Sequence, residues 1–131
     1  MHPKTAAWDD RLKSMFDEID HELEDHYHGH WTLRRNRPAR GQTANPEADG
    51  LFNVGVFFTP GYGSTLGRGY LVEIILATEE PVHPEAREAV ESHALMLLRE
   101  KLPIHFPERT LYVDRDGSMY KIHGDFSLGG V

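Results

Sequence analysis

ERTLYVDRDGSMYKIHGD, residues 108–125, decides how this chain must be built. Apolar and polar residues alternate on both sides of Asp116 and Gly117, a pair favoured in the two-residue turns of β-hairpins. With those two residues at the turn, Arg115 faces Ser118, Val113 faces Tyr120 and Leu111 faces Ile122. Thr110, Tyr112, Asp114, Met119, Lys121 and His123 then share the other side. One face is apolar and the other mostly polar, as expected of a hairpin laid on a core.

Upstream, LFNVGVFF (51–58) and GYLVEIILAT (69–78) are rich in β-branched and aromatic residues and are separated by a glycine-rich interval. They predict a second antiparallel hairpin with a long connection. Phe52, Val54, Val56 and Phe58 line one face of its first strand, and Tyr70, Val72, Ile74 and Leu76 the matching face of its second. The opposite face keeps Leu51, Phe57, Leu71 and Ile75, interrupted by Glu73, so it is not a purely solvated surface.

Each hairpin follows a helix. Trp8, Leu12, Met15, Phe16, Ile19, Leu23 and Tyr27 recur at spacings of three and four, with Asp9, Asp10, Asp17, Asp20 and Glu24 among the residues filling the positions between. Gly29 supplies a stop. The second helix starts at Pro84, which suits a first turn, carries Val90, Ala94, Leu97 and Leu98 on its core stripe, and is expected to end at Pro103. The order helix-strand-strand-helix-strand-strand predicts an α+β two-layer sandwich. Its mostly antiparallel four-stranded sheet carries two helices on one face. At 131 residues the chain is expected to form one domain, with a basic, Pro- and Gly-containing loop at 34–50. Phe57, Leu71, Ile75 and Tyr112 on the uncovered face point to a groove or a self-association surface.

Composition narrows the function classes. With 39% hydrophobic and 27% charged residues the chain has a globular balance. No apolar run reaches the roughly 20 residues that span a bilayer, and no hydrophobic signal region opens the sequence, so a cytoplasmic protein without membrane contact is expected. The absence of cysteine excludes disulfides, thiol catalysis and thiolate zinc sites. Net charge is −7, and both halves flanking residues 34–50 are acidic. Arg34, Arg35, Arg37 and Arg40 form a basic island between them. Such an island can hold phosphate, yet the acidic remainder repels polyanions, so nucleic-acid binding is the weakest reading. Pairing of these arginines with acids on the first helix is the simpler account.

Three further clusters bear on chemistry. In HELEDHYHGH (21–30), Glu22 and His26 lie one helical turn apart, and His28 and His30 follow the helix, giving a candidate divalent-metal set of Glu22, His26, His28 and His30. The spacing departs from H-E-x-x-H, and by helical angle His26 falls in the apolar stripe, where one hydrogen bond would satisfy it. In FTPGYGSTLGRGY (58–70), Gly61, Tyr62, Gly63, Ser64 and Arg68 form a candidate anion-binding loop, its amides and guanidinium able to hold a phosphate or carboxylate. It lacks the Walker ending and leads into a strand, so a plain hairpin connection is the simpler account. Glu73, alone among apolar neighbours, is the candidate general acid or base. The aspartates around Asp114 and Asp125 imitate a calcium loop but place Met119 where its glycine belongs. No complete catalytic motif is present, which favours a binding or interaction domain that self-associates, as a dimer, through the open sheet face and needs no cofactor. The alternative is a metal-assisted hydrolase or phosphate-ester enzyme built on the histidine tract.

Overall fold

The computed structural model describes residues 3–44, 49–61, 66–116 and 119–124. Helix α1 (Pro3–His26) precedes strands β1 (Phe52–Thr59) and β2 (Gly69–Leu76), and helix α2 (Pro84–His105) precedes β3 (Leu111–Asp116) and β4 (Met119–Gly124). The strands form one antiparallel sheet in the order β1-β2-β4-β3. Both helices lie on the same face, so the α+β sandwich expected from the alternation is the observed architecture.

Burial explains why these elements form. Every residue of the expected α1 stripe, from Trp8 to Tyr27, is buried, and it meets Phe52, Val54, Val72, Ile74, Val113, Tyr120 and Ile122 from the sheet in one core. The helices run antiparallel: Trp8 stacks on Phe106 at 4.6 Å beyond the end of α2, while His26 meets His93 at the opposite end. In the first hairpin Phe52, Val54, Val56 and Phe58 stand opposite Leu76, Ile74, Val72 and Tyr70, the same face-sharing sets that alternation predicts.

Two expectations are corrected. Helix α2 does not stop at Pro103 but continues through it to His105. Proline removes its own N–H from the ladder and crowds the carbonyl four residues before it, and tertiary contacts hold the extra turn against that cost: Phe106 is fully buried and its N–H reaches the Leu102 carbonyl at 2.8 Å, while the Arg11 guanidinium caps the His105 carbonyl. The second hairpin is paired two residues away from the expected register. Asp116 stands opposite Met119, Arg115 opposite Tyr120 and Val113 opposite Ile122, so the connection falls on Gly117 and Ser118, which lie outside the described residues. Gly-Ser is as acceptable a turn pair as Asp-Gly, and a two-residue slip leaves every side chain on its original face. The facing was therefore right and the pairing was not.

Candidate functional site

The uncovered face of the sheet carries Phe57 from β1, Leu71, Glu73 and Ile75 from β2, Lys121 and His123 from β4, and Tyr112 and Asp114 from β3. Phe57, Ile75 and Tyr112 remain 51%, 37% and 54% exposed. Lys121 departs from its expected place on a polar surface: it is only 1% exposed. Its ammonium donates to the Gly67 carbonyl at 2.7 Å and pairs with Asp116 at 3.0 Å. The downstream end of the glycine-rich connection thus lies on this face, and a desolvated ammonium has acceptors of both kinds it needs. Beside it His123 meets Asp114 at 2.7 Å. Glu73 is partly exposed and stands opposite Gly55.

Of the loop residues expected to hold an anion, Gly61 and Arg68 are described, whereas Tyr62, Gly63 and Ser64 lie outside the described residues. Gly61 donates its N–H to Thr59 Oγ1 at 3.2 Å, and a Cβ placed on it would lie 2.5 Å from the Arg68 amide nitrogen. The connection is pinched at its base, with the Arg68 side chain in solvent.

The histidine tract is arranged differently from its expected metal set. Glu22 pairs with Lys101 at 2.9 Å, and His28 and His30 are exposed past the end of α1. His26, expected half-buried in the apolar stripe, is exposed, because the stripe turns toward Tyr27 at the last turn. Its ring packs edgewise against His93 at 4.6 Å and against Tyr27. Among the described residues no three histidine, aspartate or glutamate side chains are gathered as a metal site. The residue missed by spacing is His93, sixty-seven positions away in the chain and brought in by the helix pairing. Burial and the neighbouring His26 hold the His93 imidazole below its ordinary value, against the opposing pull of Glu22 and Glu100. His93 is therefore expected to titrate below 6.5 by NMR, with a higher midpoint in His26→Gln; an unchanged midpoint would remove the coupling between the rings.

The arginine island is largely spent on the fold. Arg37 donates to the carbonyls of Asp49, Gly50 and Phe52, and Arg40 meets Asp25 at 2.6 Å and contacts His21. Arg34 uses its backbone N–H on Ala77, while its side chain and that of Arg35 are exposed. The loop is consequently strapped to the sheet end and the flank of α1.

Acids are buried where the strap meets α1, two of which, Asp20 and Glu24, helical spacing places off the apolar stripe. Asp20, Glu24 and Asp49 are all buried. Glu24 Oε1 accepts the Phe52 N–H at 3.0 Å at the start of β1. Asp49 accepts the N–H and hydroxyl of Thr43 at 3.0 and 2.8 Å. Burial opposes its charge, but these bonds, the Gly41 N–H and Arg37 outweigh it and hold the carboxyl below the usual range. Asp20, 3% exposed, has no such help: its Oδ2 is buried without a hydrogen-bond partner. Burial first, then Glu24, Asp49 and Asp17, push its pKa up to about 8, with only Arg40 opposing. Asp20 lines a cleft of about 230 Å³ between α1 and β1, together with Asp9, Leu12, Lys13, Phe16, Asp17, Val54, Val56 and Tyr70. The signal available in the sequence was its position four residues after Phe16 and eight after Leu12, on the shoulder of the apolar stripe.

Fold and surface together define an α+β sandwich domain with one helix-covered face and one partly apolar face, and among the described residues no helix is long and apolar enough to cross a membrane. The chain belongs to a protein family described as "Uncharacterised protein", whose model matches residues 3–124. It is also similar to an "Uncharacterized protein" of Borreliella burgdorferi, 39% identical over 109 residues, a match covering 83% of this chain and 85% of the relative. No solved structure matches it.

Proposed function

We propose that the protein is a binding domain that pairs with a second copy of itself through the face of the sheet opposite the helices. The observation that carries this reading is the exposure of Phe57, Ile75 and Tyr112 on a face that neither helix covers. Apolar side chains so placed gain from burial at about 25 cal/mol per Å². A two-fold pairing buries the same patch on both copies and closes without leaving it available for further growth. Leu71, opposite Phe57, extends the patch toward the centre of the sheet, and the Asp114 and His123 pair beside Tyr112 provides a polar rim.

Charge sets a second requirement on this reading. Two copies each carrying −7 repel one another at long range, so added salt should strengthen their association. Light scattering on a sizing column is expected to give twice the 15.0 kDa of one chain at micromolar concentration. Phe57→Glu combined with Tyr112→Glu should return it to the mass of one chain with unchanged circular dichroism. A wild-type monomer at about 100 µM, well above the micromolar affinity of a modest interface, would end the proposal, as would a double variant that still pairs.

A further inference from the structure

The cleft between α1 and β1 lies on the other side of the sheet from that face and has its own chemistry. Asp9, Leu12, Lys13, Phe16, Asp17 and Asp20 fall at intervals of three and four along one flank of α1, a stretch of about 16 Å at the helical rise. Val54 and Val56 form the opposing wall. The space is smaller than a site for a drug-sized ligand, and its lining interleaves apolar Leu12, Phe16, Val54 and Val56 with charged Asp9, Lys13, Asp17 and Asp20. At its inner end stands the Asp20 carboxyl, with one oxygen lacking any donor. The groups facing that carboxyl are Asp17 and Glu24 from α1 and Asp49 and Arg40 from the strap, three acids against one base. Lys13 is engaged by Asp17 at 3.2 Å, and Asp9 and Tyr70 stand at the outer end.

We infer that this cleft binds a linear aliphatic amine, its ammonium on Asp20 and its hydrocarbon chain along Leu12, Phe16, Val54 and Val56. A positive donor is what the inner end lacks: against the Asp20 carboxyl it offsets the surrounding acids. A divalent metal fits less well, since it needs several converging oxygens and among the described residues no three histidine, aspartate or glutamate side chains are gathered as a metal site. An anion is repelled. The length of the cleft favours a straight chain. Because burial keeps Asp20 protonated at neutral pH, binding moves its proton to solvent while the ammonium keeps its own.

The test titrates the whole chain with 1,4-diaminobutane, using 1,4-butanediol as the uncharged counterpart. Saturable shifts of the Leu12, Val54 and Val56 methyl signals are expected with the diamine and not with the diol. Calorimetry at pH 7 in buffers of different ionisation enthalpy should show net proton release. Affinity should rise as pH increases from 6 to 8 and fall about tenfold or more in Asp20→Asn, the scale of a lost charged hydrogen bond. A second variant, Val56→Trp, fills the cleft from its outer wall while leaving Asp20 in place and should abolish the shifts. The inference is overturned by absent or non-saturable shifts, by equal binding of the diol, or by undiminished binding in either variant.

Discussion

Gly69→Ala should cost about 3 to 5 kcal/mol, enough to consume most of the stability of a domain this size. Gly69 opens β2 and pairs with Thr59 on one side and His123 on the other. A Cβ there would run into the Ile122 carbonyl oxygen of β4 and lie 3.3 Å from the His123 Cα. Those atoms are backbone and cannot swing aside. The join between the two hairpins rests on only four residue pairs, Gly69 through Val72 against His123 through Tyr120, so a displaced Gly69 parts the sheet at its centre. It also moves Gly67, whose carbonyl holds the buried Lys121. Gly67→Ala is the control: its φ of 80° strains an alanine, but no atom stands within 4 Å of the added carbon, so about 1 kcal/mol is expected. Urea unfolding of the two variants decides the point. A Gly69→Ala cost no greater than that of Gly67→Ala would show that the strand approach tolerates a methyl group.

Asp20→Asn should stabilise the protein at neutral pH, on the order of 3 kcal/mol at pH 7, and by progressively less at lower pH. The sign follows from a folded-state pKa raised from 3.8 to about 8 by burial and then by Glu24, Asp49 and Asp17. Below about pH 4 both folded and unfolded chains carry the proton, and the group is neutral in the balance. Between pH 4 and 8 the unfolded chain ionises while the fold keeps its proton. Each pH unit then lowers stability by up to about 1.4 kcal/mol. Above pH 8 the loss levels off, because the folded carboxyl ionises too. Asparagine removes this titration while keeping a polar side chain of similar shape in the same position. Denaturation at pH 5, 6, 7 and 8 should give wild-type and variant curves that diverge steadily; parallel curves would mean that Asp20 is ionised in the fold.

Much of the architecture was legible before any coordinate. The α1 stripe, the two hairpins and the face on which each strand residue lies all follow from local periodicity. A helix or strand shows its buried side every 3.6 or 2 residues whatever it packs against. The same periodicity explains the error at the second hairpin. Alternation is unchanged by a two-residue slip, and both Asp116-Gly117 and Gly117-Ser118 are acceptable turn pairs, so two registers satisfied the pattern equally. Pro103 misled for a related reason: its effect on the ladder is local, whereas Phe106 and Arg11, which hold the last turn, act from outside the helix.

The candidate sites were less legible. His26 and Glu22 are neighbours on α1, but Lys101 and His93 from α2 take them as partners. Asp20, Glu24 and Lys121 are ionisable side chains in positions that alternation assigns to water, and each is buried against a segment remote in sequence. Arg40, Asp49 and Gly50 of the loop lie against the acids, and the end of the glycine-rich connection covers the lysine. By itself, then, the sequence determined the order of elements and their buried faces, since these depend on spacing between near neighbours. Only the tertiary structure decided the strand pairing, the extra turn of α2 and which charged side chains lost their water, since those depend on what the rest of the chain lays over them.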